Sequence, residues 1–326
     1  EENDLIRNTA VNETTSNGFI SVDPDQKPLR EVHNLLLSGV SPRPIALVST
    51  ISEDGIDNLA PFSFFNAFGA NPPYIAFSPA YSGKDGSAKD TLLNLEKIPE
   101  CVVHAVPFDL IEQVSLASTA YGPELSEFTK AGFETLASEV VRPKRVTKSP
   151  FHMECKVEQI IPLGGTNGSG NLVLCKVVRF HVSEAIMEDG KMTPDALDLI
   201  GRNGFNYYTR ASGAALFTVD KPTGQGMGID QLPVSIRESS ILTGNDLGKL
   251  GSLERFPDTG AVEDYVKGLK SETSESKYHK LLLHGLEDLE SKPNQARRDI
   301  EVAAKVALNE GDIEFAIHVL LALADL

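Results

Sequence analysis

The stretch Asn58-Leu-Ala-Pro-Phe-Ser-Phe-Phe-Asn66 is built of strand-forming residues around a proline. Pro61 has no N–H to give to a central ladder, which confines the segment to a sheet edge or to irregular structure and leaves main-chain polar groups over for a ligand. Phe62, Ser63, Phe64, Phe65 and Asn66 set aromatic surface beside small donors and acceptors. A flat heterocycle needs that combination. The competing reading is a buried strand whose rings fill a core.

Working outward, short apolar runs of strand length recur between turn signals: Pro44 to Ile51, Leu59 to Phe68, Tyr74 to Phe77, Cys101 to Val106, Met153 to Ile161, Leu172 to Val182 and Ala214 to Val219. Met153, Cys155 and Val157 alternate with Glu154 and Lys156, the two-residue period of an antiparallel strand with unlike faces. Helical stretches at Asp90 to Ile98, Phe108 to Ser118 and about Glu124 to Gly132 interrupt the strands without alternating regularly, so a doubly wound sheet fits poorly. The expected class is mainly β and barrel-like with inserted helices. The glycines at 164 to 170 lack a Gly-Lys-Ser/Thr ending and no helix follows, so they read as a hairpin turn.

The flanks have a different texture. Residues 1–30 read as a polar arm. Residues 223–326 read as a Gly-rich connector followed by a helical extension of three or four helices. There Gly311 ends one helix, Asp312 caps the next, and Ile313, Ala316, Ile317, Leu320 and Leu321 form one stripe. The segment from Gly228 to Gly248 reads as ordered, suited to shaping substrate access or binding a partner.

With 46 acidic against 30 basic residues the net charge is -16. That argues against a nucleic-acid or acidic-membrane partner, and any anionic ligand must be met by local donors. No apolar run reaches the length of a membrane span. A soluble, cytoplasmic protein is expected. The first residues carry no signal-peptide pattern, which leaves export unproven. Cys101, Cys155 and Cys175 sit in strand-like runs and read as core thiols of a reducing compartment. The seven histidines form no His-x-x-x-His pair, His152-Met-Glu154 lacks the Pro-Cys-x-x-Cys of a zinc deaminase, and no metal is expected.

Two further segments suit a nucleotide. Ser41-Pro-Arg-Pro-Ile-Ala-Leu-Val-Ser-Thr50 has prolines that fix the direction of Arg43 and a strand that delivers two hydroxyls, Ser49 and Thr50, at its end. Ser87-Ala-Lys-Asp-Thr91 opens a helix whose unpaired N–H groups and partial positive charge, with Lys89 and Thr91, make a phosphate seat. A plain capping box of Ser87 with Asp90 is the alternative. Taken with the aromatic-serine edge, these suggest an isoalloxazine and its phosphate.

The ordered set Pro42 to Thr50, Asn58 to Asn66, Pro72-Pro73, Lys89-Asp-Thr91, Leu174-Cys-Lys-Val-Val-Arg-Phe-His181 and Ile200-Gly-Arg-Asn-Gly-Phe-Asn-Tyr-Tyr208 resembles the flavin reductase-like, FMN-binding split-barrel family. The resemblance implies a split-barrel domain over residues 31–222 and a homodimer with FMN near the subunit interface. It implies that Ser49, Thr50, Lys89 and Thr91 hold the phosphate, that Ser63 to Asn66 line the isoalloxazine, and that Arg202 and Tyr208 approach it. His181 is open to a plainer reading as a satisfied strand histidine.

The leading functional expectation is an NAD(P)H-dependent oxidoreductase that reduces FMN, passing electrons to a partner enzyme or acceptor. FAD remains open as the flavin. The alternatives are a non-catalytic FMN-binding or sensing module, and an oxidoreductase using bound FMN on an organic substrate.

Overall fold

The computed structural model describes residues 18–219, 221, 224–271 and 276–324; most of the arm expected over residues 1–30 lies outside them. The chain forms two compact units that divide between Phe217 and Thr218.

The first unit runs α1 (Leu29–Gly39), β1 (Arg43–Pro44), β2 (Ala46–Ile51), β3 (Asp57–Phe62), β4 (Phe65–Ala70), β5 (Pro73–Phe77), α2 (Asp90–Lys97), β6 (Glu100–His104), α3 (Ile111–Leu116) and α4 (Glu127–Lys130). It continues through β7 (Thr135–Leu136), β8 (Arg145–Val146), β9 (Phe151–Pro162), β10 (Asn171–Val182), β11 (Met187–Glu188), β12 (Lys191–Met192), α5 (Pro194–Leu197), β13 (Ile200–Arg202) and β14 (Tyr208–Arg210). Seven strands make one sheet in the order β3-β2-β6-β9-β10-β5-β4, antiparallel at every pairing. β1, β13 and β14 form a separate small sheet.

The two outermost strands of the large sheet, β3 and β4, are consecutive in sequence, with only Ser63 and Phe64 between them. Seven flat strands would hold their edges about 29 Å apart at about 4.8 Å per step. Three Cα steps span at most about 11 Å. The sheet must therefore curl until its edges nearly meet, yet no ladder joins β3 to β4. The result is a barrel split along one seam, which corrects the expectation of a single strand over Leu59 to Phe68. Across the seam the rings of Phe62 and Phe77 lie 5.5 Å apart.

Alternation along the strands gives each face its own core. Ala46, Val48, Ile75, Phe77, Val103, Val173 and all three cysteines fill one side. Ile45, Leu47, Leu59 and Val106 pack on the other with Leu110, Val114 and Phe128. Cys101 stands opposite Cys155 in the β6–β9 register. The thiols are buried and form no disulfide.

Glu154, fully buried on β9, accepts the N–H groups of Glu139, Val140 and Val141 and a 2.6 Å bond from His181 Nε2. Burial pushes its carboxyl up, but those four donors outweigh burial and hold it below the usual range. His181 is thus a satisfied strand histidine that ties β10 to the 139–141 loop.

Two segments differ from the sequence reading. Ala214 to Val219 is not a strand: Gly213 to Ala215 form a 3-10 turn and the rest has no ladder partner. Short apolar runs do not identify strands unless a sheet edge is available to them. Helix α1 went unread because Pro28 stands at its N-cap without a capping side chain, and none of its residues is buried.

The second unit contains α6 (Val234–Arg237), α7 (Gly244–Gly251), α8 (Thr259–Ser271), α9 (Lys277–Asp288), α10 (Pro293–Glu310) and α11 (Ile313–Ala324). Gly311 closes α10 at φ 90° and Asp312 Oδ1 accepts the Phe315 N–H, as the sequence suggests. Phe315 to Leu320 are buried without a break, making α11 the central helix of this unit's core. Gly285 lets α9 approach α10 closely, since a Cβ there would meet Ile300 at 2.8 Å. Among the described residues no helix is long and apolar enough to cross a membrane.

The first unit contains an acid-sensitive pair. His104 and His152 are buried with rings 5.1 Å apart. Burial, then their mutual charge, depresses His104 to about 3; burial also depresses His152, to about 4. A histidine held below its unfolded value near 6.5 binds its proton preferentially in the unfolded chain, so stability falls as pH drops below about 6.5. Each should contribute a loss of roughly 2 kcal/mol between pH 7.5 and 5 by linkage. Denaturant titrations of the first unit across that range should show it, and a flat profile would contradict the neutral buried pair.

Candidate functional site

The seam opens into a two-lobed groove. One lobe, about 340 Å³, is bounded by Asn58, Pro61 and Phe62 of β3, by Ser87 to Thr91 at the start of α2, and by Ala117 to Tyr121 and Glu127. The other, about 490 Å³, is bounded by His33 and Leu37 of α1, by Phe62, Ser63 and Phe64, by Ser78 and Ala80 to Lys84, and by Arg202. Both volumes lie within the range of small-molecule sites. The lobes share Pro61, Phe62 and Lys89, so the aromatic-serine edge and the Lys-Asp-Thr helix start meet in space.

The helix start is prepared for an anion. Lys89 is the N-cap of α2 and no side chain caps the helix, which leaves first-turn N–H groups open toward the lobe that Lys89, Asp90 and Thr91 line. The capping-box alternative is not realised: Ser87 donates its N–H and hydroxyl to Asp85 Oδ1. Thr91 Oγ1 accepts from Asn58 Nδ2 at 3.0 Å and keeps its own hydroxyl proton to donate.

Ser49 and Thr50 lie elsewhere than expected. Both are buried in β2. The Ser49 hydroxyl donates to the Lys144 carbonyl at 2.6 Å. Thr50 Oγ1 accepts from Asn58 and Asn94, each at 3.0 Å. The hydroxyls brace the wall from behind, because a central strand with both faces covered cannot present a side chain to the groove.

Arg43 is a clamp. Its Nη1 donates to the carbonyls of Leu37 and Val40, its Nη2 to that of Asn203, and its Nε reaches Ser63 Oγ at 3.4 Å. It thereby ties the end of α1 and the turn after β13 to the seam. In the β1–β13 register it stands opposite Arg202, and burial followed by that neighbouring charge lowers its pKa. Arg202 lines the groove and its guanidinium lies 4.5 Å over the Tyr208 ring. Tyr208 itself borders a separate recess with Phe108 and Arg210 and does not line the second lobe. Phe65 faces a cleft on the other side of Arg43. Asn66, exposed, accepts the Ala67 N–H and lines neither lobe.

Several wall residues were not read from the sequence. His33, Tyr81, Ser82 and Lys84 bound the second lobe. Their loop is buttressed by the glycine turn, where Tyr81 N–H donates to Ser169 O and Gly168 N–H to Tyr81 O. Glu127, buried, accepts the Leu59 N–H at 2.9 Å and so caps the open edge of β3. Desolvation raises its pKa, partly offset by that hydrogen bond. Nothing in the local pattern around Glu127 marks it, because its partner is 68 residues away. Among the described residues no cluster of three His, Cys, Asp or Glu could hold a metal ion.

The sequence model of the flavin reductase like domain matches residues 38–198. An uncharacterized protein of Halalkalibacterium halodurans, BH2278, is 37% identical over 206 residues, which cover 63% of this chain and 97% of that protein. This chain belongs to the flavin reductase-like family. Among solved structures, the family member described here is similar to nitrilotriacetate monooxygenase component B from Bacillus cereus, at 32% identity and a TM-score of 0.58 over 63% of this chain and 100% of that one. It is also similar to the 2-nitrobenzoate 2-nitroreductase NbaA of Pseudomonas fluorescens, at 27% identity and a TM-score of 0.53 over 61% and 96%. Membership makes it a flavin-related oxidoreductase, with the split barrel as the family scaffold.

The Asn58 amide joins β2, β3 and α2 through two buried hydroxyls. Asn58→Ala should lower stability by about 1 to 3 kcal/mol, the range for unpaired buried polar groups. Chemical denaturation will measure this; an unchanged midpoint would show that the network carries no strain when cut.

Proposed function

We propose that this protein binds FMN in the seam groove and serves as an NAD(P)H-dependent flavin reductase. The observation that carries the reading is the shared wall of Pro61, Phe62 and Lys89, which joins an uncapped helix start to an aromatic edge. A flavin mononucleotide has the same two-part character, an anionic phosphate on a polar chain and a flat ring with one polar edge.

The donor set fits the group. Lys89, the first-turn N–H groups of α2 and the Thr91 hydroxyl would take the phosphate. Phe62, Ser63 and Phe64 would meet the ring, with main-chain acceptors along the open edge of β3. Arg202, which lines the groove and faces Arg43 across the register, would place positive charge against the flavin, and an electron-rich ligand would relieve the opposition of two like charges. Held by Lys89, Thr91 and the Phe62 to Phe64 edge, FMN would supply the redox chemistry as a hydride acceptor for a reduced nicotinamide. The chain's share is to hold, orient and shield, which demands no acid or base.

Homodimer formation belongs to the same proposal. Leu35 and Leu36 of α1 are half-exposed, and Phe205 and Tyr207 beside the groove segment are 64% and 72% exposed, an apolar surface suited to a second copy. Sedimentation should give twice the chain mass.

The purified protein is expected to be yellow and to oxidise NADH or NADPH with FMN supplied. Lys89→Ala should weaken FMN at least tenfold, by the loss of a charge-assisted contact of roughly 1.5 to 3 kcal/mol, without changing thermal stability of the flavin-free protein. Wild-type protein that neither retains FMN nor turns over either nucleotide would end this reading.

A second expectation concerns Glu127, which lines the phosphate lobe beside Asp90. Its raised pKa means that it charges at higher pH than an ordinary carboxyl, and the charged form repels phosphate. Glu127→Gln keeps an oxygen for the Leu59 N–H and should tighten FMN several-fold, more so as pH rises through the carboxyl titration. Fluorescence titration of flavin at several pH values checks it; equal affinities throughout would show that the carboxyl does not sense the ligand.

A further inference from the structure

Arg43 and Arg202, opposite one another in the β1–β13 register, are like charges without a counter-ion. Arg43 is 4% exposed, and its guanidinium meets only carbonyls and the Ser63 hydroxyl. Arg202 is half-buried, with the Tyr207 carbonyl at 3.5 Å and the Tyr208 ring beneath it. The ion pairs among the described residues of the first unit include neither arginine. Burial, then the Arg202 charge, lowers the Arg43 pKa, as expected of a charge that lacks compensation. Buried charges are ordinarily paired, and here the missing partner has to arrive with a ligand.

Resting on the flavin reading above, we propose that this arginine pair makes the ring end of the groove selective for reduced, anionic flavin, so that flavin stays on the protein once reduced and its electrons are handed on in place. Both arginines line the second lobe with Phe62 and Phe64, and Arg43 Nε reaches Ser63 Oγ within the same edge. The phosphate seat at the start of α2 borders the first lobe, so the phosphate has its own partners. His33, Tyr81, Lys84 and Lys89 are the other titratable groups lining the second lobe, and no Asp or Glu lines it. Asp85, beside Lys84, bonds Ser87. Positive charge therefore dominates where the ring would lie.

Redox state decides whether the ring can answer that charge. Hydride transfer from a reduced nicotinamide breaks a C–H bond on the donor and makes an N–H bond on the ring. One proton and two electrons move, the nicotinamide leaves as a cation, and a neutral ring becomes an anion. No carboxylic acid lines the lobe to add a second proton, and neighbouring cations favour the charged form over the protonated one. At an effective dielectric constant of about 20, one cation about 6 Å away favours the anion by more than tenfold. The oxidised, neutral ring gains no such attraction.

The test is the midpoint potential of FMN on the full-length protein, reduced anaerobically with dithionite against a reference dye. Reduced FMN should bind at least about tenfold tighter than oxidised FMN, which raises the two-electron midpoint by about 30 mV or more over free FMN at the same pH. At about pH 6 the absorption of the bound reduced form should remain that of the anion, whereas free reduced FMN is largely protonated there. Arg202→Gln should reduce the preference at least about threefold, and Arg202→Lys, which keeps the charge, should retain it. Lys89→Ala should weaken both redox states alike and leave the midpoint in place, because its partner is the phosphate. The proposal is overturned if FMN binds but the midpoint rises by less than this, if the bound reduced form is neutral at that pH, or if Arg202→Gln leaves the midpoint where it was. It is overturned equally if Lys89→Ala moves the midpoint as far as Arg202→Gln does. Each of those results leaves the flavin reading intact, whereas protein that binds FMN in neither redox state ends both.

Discussion

The two-residue connection between β3 and β4 governs this structure. Because Ser63 and Phe64 must bridge what a flat sheet would keep far apart, the sheet curls, and the curl ends in a seam rather than a closed ladder. A seam is a problem of unpaired backbone groups, each worth about 1 to 3 kcal/mol if buried without a partner. The chain meets it residue by residue. The Leu59 N–H is taken by Glu127. Two residues on, at the next outward-facing position of the strand, Pro61 has no N–H at all. The Ser78 N–H, just past the end of β5, finds the Phe64 carbonyl. At Leu59 and Pro61 the outer edge of β3 is left with acceptors and no free donor, which blunts edge-to-edge pairing there and gives a polar ring something to donate to.

Electrostatics explain why the site is so local. A net charge of -16 repels anionic nucleotides at long range, though solvent screening confines that effect to roughly 8 Å at physiological salt. Inside the groove the balance reverses: Lys84, Lys89, Arg43 and Arg202 border the second lobe. The first lobe has Lys89 against Asp90 and Glu127, so positive potential there comes from the helix start rather than from side chains. A phosphate seat built on main-chain N–H groups tolerates neighbouring carboxyls better than one built on lysines alone, because the donors point at the ligand.

What could be read from the sequence was what local chemistry decides. Pro61 announced an edge, Gly311 and Asp312 a helix boundary, the glycines at 164 to 170 a turn, and Lys89-Asp-Thr91 a helix start. Each follows from constraints within a few residues. What could not be read depends on distant partners. Ser49 looked like a ligand because a hydroxyl at a strand end is exposed in most sheets, but here Lys144 lies against it. Arg43 looked aimed at a ligand because prolines flank it, and they do fix its direction, toward the carbonyls that end α1 and the turn at Asn203. Ala214 to Val219 had the composition of a strand and no sheet edge to join.

The hydroxyls that hold the wall serve the site better than direct contact would. Asn58 donates from β3 to Thr50 on β2 and to Thr91 on α2, while Asn94, one turn further along α2, returns to Thr50. Four side chains thus fix the angle between the seam edge and the helix that starts the first lobe. A ligand that must touch both pays an entropic penalty for any play between them. Locking the two elements through this hydrogen-bonded network removes that play before the ligand arrives. It also explains the placement of polar residues in a strand buried on both faces, where apolar side chains would pack as well but would leave the helix free to slide. In a groove whose two ends come from segments 30 residues apart, the rigidity of that joint sets how well one molecule can be held at both ends.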